Sequence, residues 1–303
     1  MGSGHSHAPA GHAGGRNRWR LQLSFGLVLT FFVVELVFGI ISNSLALISD
    51  AGHMAADVVA LGAALVATKL ASTRDETGKR TYGWYRAEIF ASGLAVLLML
   101  IVSISIGYGA VDRIGKPEVE VNTMIMFVVG GIGLLINIIA LLLLRGGSKE
   151  SLNVKGAYLE VMADTLGSVG VIVAGVLVQA TGQALWDTLI GLAIAIFVAV
   201  RAIMLGREVL HVLSQGTPDG IDVGEVTTAL ESCPGVQSVH DLHLWTLTSG
   251  MNVATAHLVT DDGADAHSVL DAAREVMRTR FAIEHATLQV EPANHQGCDE
   301  LAW

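Results

Sequence analysis

Charge is what this sequence has least of. Asp, Glu, Lys and Arg make up 15% of its 303 residues, where soluble domains carry about 25%. The shortage falls on roughly the first two-thirds of the chain, so the apolar excess belongs to one segment and excludes an ordinary soluble protein. Cysteine is scarce as well. Cys233 and Cys298, with no Cys-x-x-Cys pair, provide no disulfide framework. No Gly-x-x-x-x-Gly-Lys loop is present, so nothing marks nucleotide hydrolysis as a source of work. The HExxH signature of helix-borne metalloproteases is also missing, which argues against an enzyme. Met1 to Gly15 contains no apolar core and is not a signal peptide. Residues 1–20 read as a disordered lead carrying His5, His7 and His12.

Lysine is absent from the last third. From Arg207 onward there are fifteen Asp or Glu and four Arg, a balance of -11 against -10 for the whole chain. Such an acidic tail lacks the basic footprint of nucleic-acid binding and suits a domain that meets cations. Seven of the eleven histidines lie in the tail and three precede residue 20, which leaves His53 alone in the apolar portion.

What the chain has instead is long apolar runs. About 20 such residues cross a ~30 Å hydrocarbon layer, and six runs qualify: Leu21–Ile41, Leu45–Ala71, Ala87–Val111, Val121–Leu144, Asn153–Gln179 and Leu185–Leu205. Basic residues collect at Arg16, Arg18 and Arg20, at Arg74, Lys79, Arg80 and Arg86, at Arg145 and Lys149, and at Arg207. The other side holds Arg113 and Lys116. The positive-inside rule then puts both termini in the cytoplasm. The expectation is a multi-pass protein of the cell (inner) membrane, with a six-helix transmembrane domain over 21–208 and a cytoplasmic C-terminal domain over 209–303. The tail reads as a small α/β domain in the order helix–strand–strand–helix–strand. Asp219 or Asp222 caps the first helix, and Ser249-Gly250 turns a hairpin between Val236–Leu247 and Asn252–Val259.

Charges inside the apolar runs form a pattern. A charged side chain at bilayer depth costs roughly 2.5–3.5 kcal/mol and marks function by default. His53 and Asp57 are four apart on the second span, and Glu160 and Asp164 are four apart on the fifth. Residues at i and i+4 share a helix face with Cβ atoms about 5–6 Å apart. Tetrahedral zinc takes His nitrogen and carboxylate oxygen at about 2.0–2.2 Å, so neighbouring donors stand about 3.3–3.5 Å apart. Two facing pairs can therefore converge on one ion. The set holds three carboxylates and one imidazole, and neither span is expected to supply a Lys or Arg against them, so a divalent cation or protons must neutralise the surplus. Without thiolate the site disfavours Cu(I). Zinc, cobalt, iron, manganese and cadmium all fit, and the imidazole tilts the choice toward zinc. Metal and protons compete for the same lone pairs, which suggests metal efflux by proton-coupled antiport with alternating access. A metal-gated channel is the rival reading, and obligatory proton counterflow separates the two. Asp50 shares the face of His53 and is either an exit-path acid or a cap for the Ser42–Ser44 turn. Glu35 and Asn137 read as interhelical packing partners or as functional groups.

Several stretches resemble the cation diffusion facilitator family. The run Ser44 to Asp57 (SLALISDAGHMAAD) is similar to its second-span signature, and Asn153 to Ser168 (NVKGAYLEVMADTLGS) to its fifth-span signature. Tyr82–Glu88 (YGWYRAE), Gln215–Pro218 (QGTP) and His240–Trp245 (HDLHLW) also resemble family stretches. The resemblance covers about residues 16 to 292 and is nearest to the cobalt–zinc–cadmium resistance type. It implies a homodimeric zinc/proton antiporter with six spans and a cytoplasmic ferredoxin-like domain, using neither nucleotide nor nucleic acid. Its transport site falls on His53, Asp57, Glu160 and Asp164. Many zinc-specific members carry His where Glu160 stands, so a wider metal range is expected. The second–third connector, Arg80 to Trp84, lacks the His of a further family site, which is expected to be absent. The fourth–fifth loop is short, and the His5, His7 and His12 lead is the remaining candidate for collecting cytoplasmic zinc.

The family's cytoplasmic domain binds zinc at the dimer interface, and His240, His257 and Glu291 match positions used there. Gln289 stands where some members have His, and His267, His295 and Cys298 are further candidates. Strand alternation sends His240 and His243 to opposite faces. A two-residue turn pairs Thr248 with Met251 and puts His257 opposite Leu242, on the face of His240. Two such acidic tails are expected to repel when empty and to close on zinc.

Overall fold

The computed structural model describes residues 18–71, 79–114, 120–145 and 152–293, with some side chains near helix ends, that of Glu160 included, outside the described set. His5, His7, His12, Lys116, His295 and Cys298 also lie outside it. The described chain divides into two compact units. The first holds the long helices up to Gly206, and the second joins Thr77–Ile89 to the chain from Arg207 onward.

The long helices are α1 (Arg18–Ser42), α2 (Leu45–Ala71), α3 (Ala87–Arg113), α4 (Thr123–Leu144), α5 (Leu152–Thr181) and α6 (Leu185–Leu213). Among the described residues, all except α2 contain a stretch long and apolar enough to cross a membrane. At 27 residues and ~1.5 Å per residue, α2 has the length too, and its first half carries Asp50, His53 and Asp57. Several helix ends differ from the sequence reading by one to three residues, α1 starting at Arg18 within the expected disordered lead, and one end differs by more. The sixth helix runs past Leu205 to Leu213, because a helix continues through Arg207, Glu208 and His211 as readily as through leucine once its ladder is formed. It stops at Gln215 (φ 60), where the Gly216 amide bonds back to the His211 carbonyl.

The start of α2 is built with unusual care. Four amides at a helix N-terminus lack intrahelical partners, and two of these are taken by Asp187 of α6. Leu45 donates to Asp187 Oδ2 at 2.7 Å and Ala46 to Oδ1 at 3.2 Å. Ser44 completes the cap by donating to Asp187 Oδ1 (2.5 Å) and accepting from the Leu47 amide (3.1 Å). Asp187 is fully buried, and its charge is offset by the Arg113 guanidinium at 3.5 Å. Arg113 also donates to the carbonyl and Oδ1 of Asn43, which fixes that turn residue at φ 55. A Cβ on Gly191 would stand 2.8 Å from the Ala46 amide nitrogen, so α6 and α2 touch backbone to backbone here.

The second unit contains α7 (Val223–Glu231), β1 (Val236–Thr248), β2 (Met251–Thr260), α8 (Ala266–Phe281) and β3 (His285–Pro292). Asp222 caps α7 by accepting the Glu225 amide, and Asp265 caps α8 by accepting that of Ser268. The sheet order is β1-β2-β3, with β1 and β2 antiparallel and β2 and β3 parallel across the α8 crossover. Val226 and Leu230 of α7 and Val269, Ala273 and Met277 of α8 pack on Leu244, Ala254, Ala256 and Leu258. This is the expected three-stranded sheet with helices on one face. Tyr82 from the second–third connector rests edge-on against His285, 5.6 Å between ring centroids.

Candidate metal centres

Within the helical unit, α2 and α5 bring three predicted ligands together. One donor atom each from His53, Asp57 and Asp164 lie within 4.8 Å of one another. His53 Nε2 stands 2.8 Å from Asp164 Oδ1, with His53 almost fully buried. A zinc ion needs neighbouring donors about 3.3–3.5 Å apart, so small adjustments in both directions complete three corners of a tetrahedron. Glu160 belongs to α5 one turn before Asp164, and its side chain is outside the described residues.

The ligand set has a basic neighbour: Arg201 of α6 places Nη1 3.0 Å from His53 Nε2. Lys69 and Lys155 also belong to α2 and α5, with side chains outside the described residues. Lys69 and Lys155 overturn the expectation of two spans without Lys or Arg, and Arg201 adds a basic residue from a third helix. Arg201 was visible by the same criterion that found the acids, as a charge inside an apolar run. It sets one positive charge beside the two described carboxylates, Asp57 and Asp164.

Asp50 has a different place from one of its two expected ones. The turn before α2 is capped by Asp187, while Asp50 is buried further along and faces α5, where a Cβ on Gly167 would strike its Oδ1. A cavity of about 280 Å³ opens beside it, lined by Asp50, His53, Gly167, Gly170, Phe197 and Val198 among others. Its remaining walls are apolar side chains of α5 and α6. Glu35 of α1 is wholly buried. Asn137 donates to Ser168 at 3.3 Å and so ties α4 to α5, the packing role.

The second cluster lies on the helix-free face of the sheet. Glu291 is buried and holds two imidazoles, with Oε2 3.2 Å from His240 Nε2 and Oε1 2.9 Å from His257 Nδ1. Gln289 donates to the same Oε1 at 2.7 Å. The two imidazole rings meet edge-on at 5.0 Å, and the buried Nδ1 of His240 has no hydrogen-bond partner among the described residues. Two sequence expectations fail here for one reason. Thr248 does pair with Met251, but β1 carries an extra residue near Thr246–Thr248 and another between His240 and His243. His257 therefore falls opposite His240 itself and not Leu242. His243 pairs with Thr255, two residues from His257, so His240 and His243 share a face. The second bulge contains Asp241 at φ 49, and a carboxylate oxygen of Asp241 comes within 4.8 Å of donors on His240 and His257. No sequence signal marked Asp241, because bulges are invisible to strict alternation. His267 stands apart on α8, 83% exposed and 3.6 Å from Asp271. Cys233 is buried in the domain core, where burial pushes its thiol pKa up and away from ligand duty.

Comparison with known proteins adds the family context. Residues 21–214 match the family model described as the cation efflux transmembrane domain, and residues 218–293 match that of the cation efflux protein, cytoplasmic domain. The metal cation efflux system protein CzcD of Cupriavidus metallidurans is 43% identical over 300 residues, 99% of this chain and 93% of that protein. A cadmium, cobalt and zinc/H(+)-K(+) antiporter of Bacillus velezensis is 38% identical, covering 96% of this chain and 93% of its own length. The zinc transporter ZitB of Escherichia coli is 34% identical, with 96% and 93% covered.

Proposed function

The chain belongs to the cation efflux, or cation diffusion facilitator, family, and from that premise we propose that it holds its cargo on His53, Asp57, Glu160 and Asp164. It is a membrane transporter that moves divalent transition-metal cations by antiport. The observation that carries the site assignment is the convergence of His53, Asp57 and Asp164 from two helices within the 4.8 Å that one ion can bridge. Zinc is the proposed principal cargo, with cadmium and cobalt beside it, and protons the counter-ion. Donors must be deprotonated to bind metal, so protons entering from one side displace the ion that a metal-loaded site would otherwise keep. Asp50, on the cavity wall beside His53, is proposed as the next acid on the cargo's path. The basic residues around the second–third connector support cytoplasmic termini in a cell inner membrane. The second family match supports a homodimer joined through the cytoplasmic domain. Zinc titration of the purified chain tests the site: loss of one site per chain in Asp57→Ala is expected, and full parental binding rejects the assignment.

Two further outcomes follow from ligand chemistry. Imidazole suits zinc, and carboxylate suits manganese. Glu160→His is expected to raise the zinc-over-manganese flux ratio by about tenfold, measured as metal uptake into vesicles. An unchanged ratio would place Glu160 outside the cargo site. In the cytoplasmic domain, Glu291 is proposed as a metal ligand with His240 and His257, and it also holds both imidazoles. Changing groups that orient ligands costs about 10–100-fold in metal affinity. Glu291→Ala is expected to lose at least that much of the zinc binding that remains in an Asp57→Ala background.

A further inference from the structure

Building on the cargo site just proposed, we infer that Arg201 is a resident cation of that site, which the metal must displace in order to bind. The geometry turns on one atom. His53 Nε2 has a single in-plane position, filled either by a hydrogen or by a lone pair. The Arg201 Nη1 group at 3.0 Å meets the requirements of a hydrogen bond to that nitrogen. Asp164 Oδ1 lies 2.8 Å from the same nitrogen, is buried, and has no hydrogen bond of its own among the described residues. Nε2 can thus accept from Arg201 or donate to Asp164, but it cannot do both.

A metal ion needs that lone pair. Zinc bonds imidazole nitrogen through its lone pair at about 2.0–2.1 Å, and a guanidinium N–H donating to Nε2 uses the same lone pair. The two cations cannot use Nε2 together. Arg201 also stands one turn beyond Phe197 and Val198, which wall the cavity beside His53, so α6 brings the charge to the ligands from a third side. Arginine cannot be deprotonated in proteins, which makes it a fixed competitor that no pH change removes.

The consequence is a weaker and faster carrier. An arginine seated on Nε2 makes the site unable to bind, and the apparent dissociation constant rises by the reciprocal of the fraction of time the site is open. When the metal leaves, the guanidinium returns to Nε2 and resists rebinding of the ion just released. Arg201 is a positioning residue by this account: it tunes how tightly the cargo is held without being one of its ligands.

The test is zinc transport by the full-length protein in vesicles, with KM and kcat measured for the parent, Arg201→Gln, Arg201→Met, Arg201→Lys and Asp57→Ala. Removing the competitor is expected to lower KM for zinc by about tenfold or more in both neutral variants and to lower kcat, because a tighter site releases cargo more slowly. Arg201→Lys keeps the charge and is expected to stay within a few-fold of the parent in both constants. A purely structural role for Arg201 would raise KM or leave it unchanged while kcat fell, and either KM result overturns the inference. If one neutral variant does not insert, the other decides. Asp57→Ala separates the two levels of the argument: parental transport in that variant removes the cargo site itself, whereas its loss beside an unchanged KM in the neutral Arg201 variants removes only the role of Arg201.

Discussion

Asp164→Asn is expected to reduce zinc transport by at least about 100-fold while leaving the protein folded. Residues that merely orient metal ligands cost about 10–100-fold when changed, and Asp164 is placed to be a ligand itself, 2.8 Å from His53 Nε2. The amide keeps the size of the carboxylate, so packing between α2 and α5 survives. Two properties are lost. The neutral oxygen is a poorer donor to a divalent cation, and the amide can no longer take up a proton in exchange. Both halves of an antiport cycle fail in one substitution. Zinc uptake by vesicles, with circular dichroism as a control for folding, measures this. Parental uptake by a folded Asp164→Asn protein would remove Asp164 from the site.

The second large effect is expected far from any ligand. Asp187→Ala should destabilise the helical unit by about 3 kcal/mol or more, because breaking a buried ion pair costs about 3–5 kcal/mol and losing a helix cap a further ~0.5–2 kcal/mol. The carboxylate holds the Leu45 and Ala46 amides and the Ser44 hydroxyl, and it faces Arg113. Its removal takes away the carboxylate facing Arg113, leaving that guanidinium its bonds to Asn43, and frees the end of α2 that leads to Asp50 and His53. Thermal unfolding in detergent should show a lowered midpoint. Asp187→Asn, which keeps one acceptor oxygen but no charge, should fall between the parent and Ala. Equal stability of all three would mean that the cap contributes nothing.

Much of this was legible in the sequence because bilayers impose strong rules. The apolar runs fixed α2 to the residue and most helix ends to within a few positions. The i, i+4 spacing identified His53 with Asp57, and separately Asp164, since helical periodicity survives tertiary packing. Three features escaped. The far end of α6 was missed because hydropathy reports where lipid ends and not where a helix ends. Arg201 stands as a charge inside an apolar run and so was visible; what had no local signal was its pairing with His53, 148 residues away. Asp187 had no signal separating it from an ordinary residue near a helix start, although it caps the N-terminus of the helix that carries His53. In the cytoplasmic domain, order and strand pairing followed from the hairpin turn, but register did not. Two added residues in β1 moved His257 from Leu242 to His240 and turned His243 onto the same face. Alternation is a reliable guide only until the first bulge.

The most direct measurement is paired zinc and proton flux in vesicles that contain the parent or Asp57→Ala, under an imposed pH gradient. The parent should accumulate zinc in step with opposite proton movement and stop when the gradient collapses, and Asp57→Ala should do neither. Zinc accumulation by Asp57→Ala at the parental rate would contradict the claim that α2 and α5 carry the ion.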